Sequence, residues 1–378
     1  MTIMELIPEK SRHNGNVLRL CWGMVNCQPA ACPVLYLPLA EEASMIALET
    51  AIENCARDTG FSGVVRVSDP SGLLFSGSWG YRDRAERLRT EEDTRFAIAS
   101  GTKLFTALGI GRLIEEGLLR LDSAVGSLHP DFHSWIDPAA TVEQLLTHNS
   151  GCYDYLDEDE IEDYDNFRVE IPWCYLATPS DYLPLFVGKP MKGPPGQAYA
   201  YSNGGYVALG ILIESLSGRP YRDFVEAEVL KPAGMADSGF FAFDELPPNC
   251  AKGYVGDGLK TNIYKVPIRG GGDGGMYASA PDLERFWPAL LEGAILKPGL
   301  VEDWLRPRLH IDGERWAACG LTRRADDGSL LIVGGDHGVG FDSRIYPERG
   351  LILSILSNQS DGEEEMRRVL LAELAKRP

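Results

Sequence analysis

A chain of 378 residues, 44% of them hydrophobic, can bury a substantial core as one large domain or two lobes. A net charge of −19 and a sequence pI near 4.8 argue against nucleic acid and anionic membrane surfaces as partners, since both repel an acidic protein. Eight cysteines without a Cys-x-x-Cys pair do not form a dense disulfide framework, and most are expected as free thiols in the core.

Residues 17–39 are apolar, but Arg19, Pro29, Pro33 and Pro38 interrupt the run, and Glu5 and Glu9 stand beside Lys10 and Arg12. Neither a signal peptide nor a membrane span fits that pattern. Residues 1–40 therefore read as an N-terminal extension to a single domain, 41–378. The expected compartment is the cytoplasm, unless the extension is a degraded signal; a true start at Met24 is a further reading.

Residues 44–60 have helical spacing and stop at Gly60. The next stretch reads as two short strands around the turn Asp69-Pro70-Ser71-Gly72. Phe96–Gly117 then reads as a buried helix, because Leu104, Phe105, Ala107, Leu108, Ile110, Leu113 and Ile114 cover nearly its whole circumference. Thr141 and Gln144 form a capping box at the start of a short helix that closes at His148-Asn149-Ser150-Gly151. Residues 153–170 are an acidic run with little apolar periodicity, expected as a solvated loop. A Pro/Gly turn, Tyr201-Ser202-Asn203 and a second apolar helix ending at Gly218 follow.

Gly270–Gly275 reads as a tight loop, since no strand–turn–helix unit frames it as a nucleotide motif, and 281–293 reads as a helix. From Arg315 the texture is β: a strand over 315–324, the turn 325–328, the strand 329–335, two further strands, and an amphipathic helix over 361–376. This pattern predicts an α+β fold, an antiparallel sheet with helices on its faces, with a helical lobe over about 104–265.

The chemistry centres on Ser100. Lys103 lies three residues on, within reach on the same helical face. A lysine flanked by Leu104 and Phe105 loses hydration, which lowers its pKa and lets the neutral amine take a proton from a hydroxyl. The Ser100 N–H, at a helix N-terminus, lacks an intrahelical partner and can donate to an oxyanion. A serine before a helix is more often only a cap, so the rest of the chain decides.

Ser100-Gly101-Thr102-Lys103, Tyr201-Ser202-Asn203, Thr147–Gly151, Lys231–Met235 and Ser279–Leu283 occur in one order. Together they resemble the serine β-lactamase and penicillin-binding protein superfamily, in its class C β-lactamase, DD-peptidase and esterase branch, over about residues 45–375. The resemblance implies that fold and a hydrolase working through an acyl-enzyme, with Ser100 as nucleophile, Lys103 and Tyr201 as bases, and Asn203 as a donor to Lys103 or substrate. It implies no metal or organic cofactor, and a small-molecule or peptide substrate as partner. Stable membrane insertion is not expected, and oligomeric state has no sequence signature here. A non-catalytic binding protein keeping the same fold is the competing reading.

Tyr164-Asp165-Asn166 also has the Tyr-x-Asn form, but its acidic neighbours raise the phenol's pKa, which favours Tyr201. For the third family motif the preferred frame is Asp336-His337-Gly338. It makes Gly338 the close-approach glycine, Val339 N–H the second oxyanion donor, and turns His337 to the strand's other face. An acid at 336 replaces the expected cation, so Arg323 is expected as a substitute anchor for a substrate carboxylate, against a solvated or Asp-paired arginine at a hairpin end.

Overall fold

The computed structural model describes residues 33–158 and 160–377, with side chains from Ser44 onward except Asp165. Most of the 1–40 extension thus lies outside the described residues. The chain from Leu48 onward forms one compact unit. Among the described residues no helix is long and apolar enough to cross a membrane.

The first helix, α1 (Pro33–Thr59), precedes a hairpin of β1 (Gly63–Asp69) and β2 (Gly72–Trp79), joined by the expected turn. Four short strands, β3 (Tyr81–Asp83), β4 (Leu88–Arg89), β5 (Phe96–Ala97) and β6 (Tyr277–Ala278), pair as β3–β4 and β5–β6. The C-terminal part supplies β7 (Leu309–Asp312), β8 (Arg315–Ala317), β9 (Thr322–Arg324), β10 (Leu330–Asp336), β11 (Val339–Tyr346) and β12 (Leu351–Ser357). With the first hairpin they form an eight-stranded antiparallel sheet in the order β2-β1-β12-β11-β10-β9-β8-β7.

Every residue of β12, and all of β11 but Tyr346, is buried, because both faces of the sheet are covered. On one face Trp287, from the helix Ala280–Leu291, donates from Nε1 to Ser343 Oγ at 2.9 Å. On the other, Asp342 pairs with Arg344 and with Arg367. The α+β expectation holds. The segment 315–324, expected as one strand, is instead the β8–β9 hairpin, with Trp316 opposite Arg323. Gly320 at φ 81° makes that reversal and lies against Ala107 and Leu104.

The remaining helices are α2 (Thr102–Glu115), α3 (Val142–Leu146), α4 (Asn203–Ser217), α5 (Tyr221–Val225), α6 (Ala280–Leu291), α7 (Pro298–Leu305) and α8 (Glu364–Leu374). The α3 capping box forms as the sequence predicts, Thr141 Oγ1 accepting from Gln144 N–H and Gln144 Oε1 from Thr141 N–H. The α4 helix stops at Gly218 in the left-handed conformation. Helices α2 and α4 pack closely, Gly109 leaving room for the Ile213 side chain. Both carry their motif residues at their N-terminal ends, so this packing brings the two motifs together.

Candidate active site

Ser100 lies not in the α-helix but in a 3-10 turn, Ala99–Gly101, that leads into α2. Ala99 has φ 42°, a conformation that costs an L-residue energy. Lys103 is one turn on, and its Nζ lies 2.9 Å from Ser100 Oγ. The same Nζ donates to Asn203 Oδ1 at 2.8 Å and to the main-chain oxygen of Asp273 at 2.6 Å. Three acceptors match the three hydrogens of an ammonium. Loss of one proton leaves a lone pair that can face Ser100 while the other two bonds persist.

Burial is the largest influence on Lys103 and lowers its pKa; the carboxylates of Asp273, Glu158, Asp154 and Asp336 oppose it. The Tyr201 hydroxyl lies 2.8 Å from Ser100 Oγ. Burial raises the Tyr201 pKa well above its ordinary value, Glu158 adds to the rise, and the Ser100 hydrogen bond opposes it. Tyr164 is raised as well, by burial first and then by Asp336. Electrostatics therefore does not separate the two tyrosines, as the sequence reading supposed. Geometry does, because the Tyr164 hydroxyl bonds to Asp336 Oδ1 at 3.3 Å while Tyr201 meets the serine.

Asn203 is held in one orientation. Its Nδ2 donates to Asp154 Oδ2 at 3.2 Å and to Leu156 O at 3.0 Å, which leaves Oδ1 for Lys103. Asp154 also accepts from the α4 amides of Asn203 and Gly204. Burial nevertheless outweighs these donors and pushes its carboxyl up to about 7. His148, in the left-handed region at φ 56°, stacks on the Tyr201 ring with centroids 4.4 Å apart. Its Nδ1 accepts from Ser202 N–H at 3.2 Å. Burial, and then the Lys103 and Lys192 charges, keep this imidazole neutral.

The acidic segment is less solvated than its composition predicts. Asp154 and Tyr155 are buried, Tyr155 donating to Asp273 Oδ2 at 2.5 Å, while Glu158 and Tyr164 line the cleft beside Ser100.

The third motif requires the largest correction. The two-residue turn His337-Gly338 joins β10 to β11 and pairs Asp336 with Val339. That pair closes the hairpin, so the main-chain groups of Val339 are directed at Asp336 rather than at Ser100. Gly338 at φ 67° packs against Gly253 and Tyr254; it is the turn's glycine. The close-approach glycine is Gly334, where an added Cβ would lie 2.1 Å from Ile98 O and 3.0 Å from Ser100 N. By alternation from the closing pair, the amides of Gly334 and Asp336 face β11, and those of Val333 and Gly335 face the opposite edge. Strand β9 covers that edge only at Leu330 and Leu331. Gly335, whose N–H faces that uncovered edge, lines the cleft beside Ser100.

Asp336 shares the Gly334 face and points into the cleft. It is half-buried, and its carboxyl is pushed up to about 7, by burial first. His337 does not turn away; its ring stacks on Tyr164 with centroids 4.7 Å apart. Arg323 does not reach the cleft. Its Nη1 lies 3.4 Å from Leu305 O, because the β8–β9 hairpin turns it toward the end of α7. Arg324 pairs with Asp326 and Asp327 at the next turn.

Sequence reasoning missed Gly334, Gly335, Asp154, His148 and Asp273. All five lay in segments that drew notice, namely the strand 329–335, the acidic run, the Thr147–Gly151 run and the glycine-rich loop, but none was singled out by its own position.

The fold is similar to that of a penicillin-binding protein from Bacillus halodurans, whose structure matches at a TM-score of 0.80 and 36% identity, over 85% of this chain and 99% of that one. The sequence matches the Beta-lactamase family over residues 48–376, and the chain belongs to that family. It is 28% identical over 323 residues to a penicillin-binding protein of Bacillus subtilis, covering 81% of this chain and 65% of that protein. It is 28% identical over 296 residues to the esterase EstB of Burkholderia gladioli, covering 70% and 74% respectively. The chain spans just under two thirds of the Bacillus subtilis relatives it matches, 65% of the first and 64% of a second.

Proposed function

We propose that this protein is a serine hydrolase that cleaves an ester or amide through an acyl-enzyme on Ser100. The observation that carries the reading is the meeting of Lys103 Nζ and Tyr201 Oη at Ser100 Oγ, 2.9 and 2.8 Å away, at the wall of an open cleft. Ser100 loses its proton to the Lys103–Tyr201 pair as Oγ bonds to the carbonyl carbon. The N–H groups of Ser100 and Gly335 hold the oxyanion. The bond to the leaving group then breaks, its electron pair stays on the leaving atom, and the proton is returned there. Water on the same side repeats the sequence and frees the acid.

The esterase name of one relative agrees with this chemistry. The experiment is labelling with a fluorophosphonate read by intact mass. A single adduct that maps to Ser100 and disappears in Ser100→Ala supports the hydrolase. No adduct at Ser100 favours the binding-protein reading.

A further inference from the structure

Two cavities meet at Ser100, and they differ in size and in what they touch. A trench of about 1050 Å³ includes Lys103 and Tyr201 and extends past Tyr199, Arg315 and Val333. A chamber of about 60 Å³ opens on the other side, and neither Lys103 nor Tyr201 lines it. Its walls are Leu156, Phe167, Trp173, Phe243, Val266 and Pro267, with the Asn203 amide among its polar groups. A volume of that size corresponds to about two water molecules at liquid density.

The walls are tied together. Ile268 N–H donates to Trp173 O at 3.4 Å. The Trp173 ring also meets Tyr155 edge-on, with centroids 6.4 Å apart, and Tyr155 is fixed to Asp273. The chamber is thus built into the fold.

Proton transfer orients the substrate between the two spaces. When the bond to the leaving atom breaks, that atom needs a proton, and the hydroxyl placed to supply it is that of Tyr201. The leaving group therefore lies on the trench side, and the acyl chain lies opposite, in the chamber.

From this we infer that the chamber is an acyl pocket, and that the enzyme removes a short, uncharged acyl group, of acetyl to about butyryl size, from a large alcohol or amine held in the trench. This rests on the hydrolase reading above and adds a size rule to it, in which the acyl part is small and the departing part is large. An acyl chain bearing a carboxylate is disfavoured because three carboxyl groups, of Asp273, Glu158 and Asp336, border the chamber against the single lysine Lys265, and apolar walls do not solvate a charge. Phe167 and Trp173 set the length limit.

The test measures kcat/KM of the full chain on p-nitrophenyl acetate, butyrate and octanoate, and on 1-naphthyl acetate, alongside fluorophosphonate labelling. The expected result is at least a 30-fold fall from butyrate to octanoate, with the two acetates within about threefold. In Phe167→Ala and Trp173→Ala the octanoate-to-acetate ratio should rise at least tenfold. Labelling of Ser100 with octanoate cleaved as well as acetate overturns the acyl pocket and leaves the hydrolase standing. No labelling and no hydrolysis of any ester removes the hydrolase and the pocket with it. The chain-length profile of the unmodified protein decides the matter even if a variant fails to fold.

Discussion

The Lys103 amine bonds to the main-chain oxygen of Asp273, 2.6 Å away, and not to the carboxylate of that residue, which turns aside to accept from Tyr155. The loop therefore fixes the position of the lysine, while its side chain tunes the lysine's charge from a distance. The Asp273 carboxylate is the foremost of the charges that oppose burial at Lys103.

Asp273→Asn keeps the main-chain contact and removes that charge. With less support for the ammonium, the Lys103 pKa falls further, and the ascending limb of kcat/KM against pH moves to lower pH. A limb that stays in place, or moves to higher pH, shows that Lys103 does not titrate on it. Asp273→Ala should move the limb the same way, with a loss of stability from the unpaired Tyr155 hydroxyl.

Ser100→Ala and Lys103→Ala should each lower ester hydrolysis by about 10³-fold or more, and the double variant by little more than either, since groups that act as a unit are not additive. Tyr201→Phe should fall with them. Tyr164→Phe should retain most activity and alter selectivity for charged substrates, since its hydroxyl meets Asp336 and not the nucleophile. Activity lost in Tyr164→Phe and kept in Tyr201→Phe would reverse the assignment of the two tyrosines.

Asp336 gives the cleft a charge that depends on pH. Its carboxyl pKa of about 7 means that it is largely neutral below that value and anionic above it. As pH rises through 7, kcat/KM for a carboxylate-bearing ester should fall relative to that for a neutral ester. Asp336→Asn should flatten that ratio. Salt should reduce the discrimination at pH 8, because the Debye length shortens from about 10 Å at 0.1 M to 3 Å at 1 M. An identical pH response of the two esters would show that Asp336 is not felt by the substrate.

Three glycines of the third motif should respond differently to alanine. Gly334→Ala drives a methyl into Ile98 O and the Ser100 amide, and should cost about 1–3 kcal/mol of stability by overpacking together with most of the activity. Gly335→Ala meets nothing within 4 Å and should fold normally. Gly338→Ala, at φ 67° against Tyr254 N, should lose stability yet keep fluorophosphonate reactivity per folded molecule. Thermal melts and labelling stoichiometry on the three variants separate these outcomes.

The helices around Ser100 and Tyr201 were legible because their apolar residues and caps are local signals, and the last hairpins because turn residues punctuate them. The third motif was not. Gly334, Gly335, Gly338 and Gly340 are alike in sequence, and only the β10–β11 register tells which one meets the helix. Arg323 was misplaced for a related reason: a strand read straight through Gly320 hides a reversal that sends the arginine toward α7. The acidic run misled because composition reports average solvation, whereas Asp154 and Tyr155 are taken inside by partners distant in sequence, Asn203 and Asp273.

The seat of Gly334 against the Ser100 amide also makes the active site a gauge of how the sheet has assembled. A slip of β10 by one residue would set Val333 or Gly335 in that seat and turn every main-chain donor on the open edge to the wrong side. A collapsed chain with mispaired strands would then hold all its motif residues and remain inert. The return of Ser100 reactivity during refolding should accordingly track the locking of one strand pair, later than the recovery of helix, and a covalent probe of the serine can time that step.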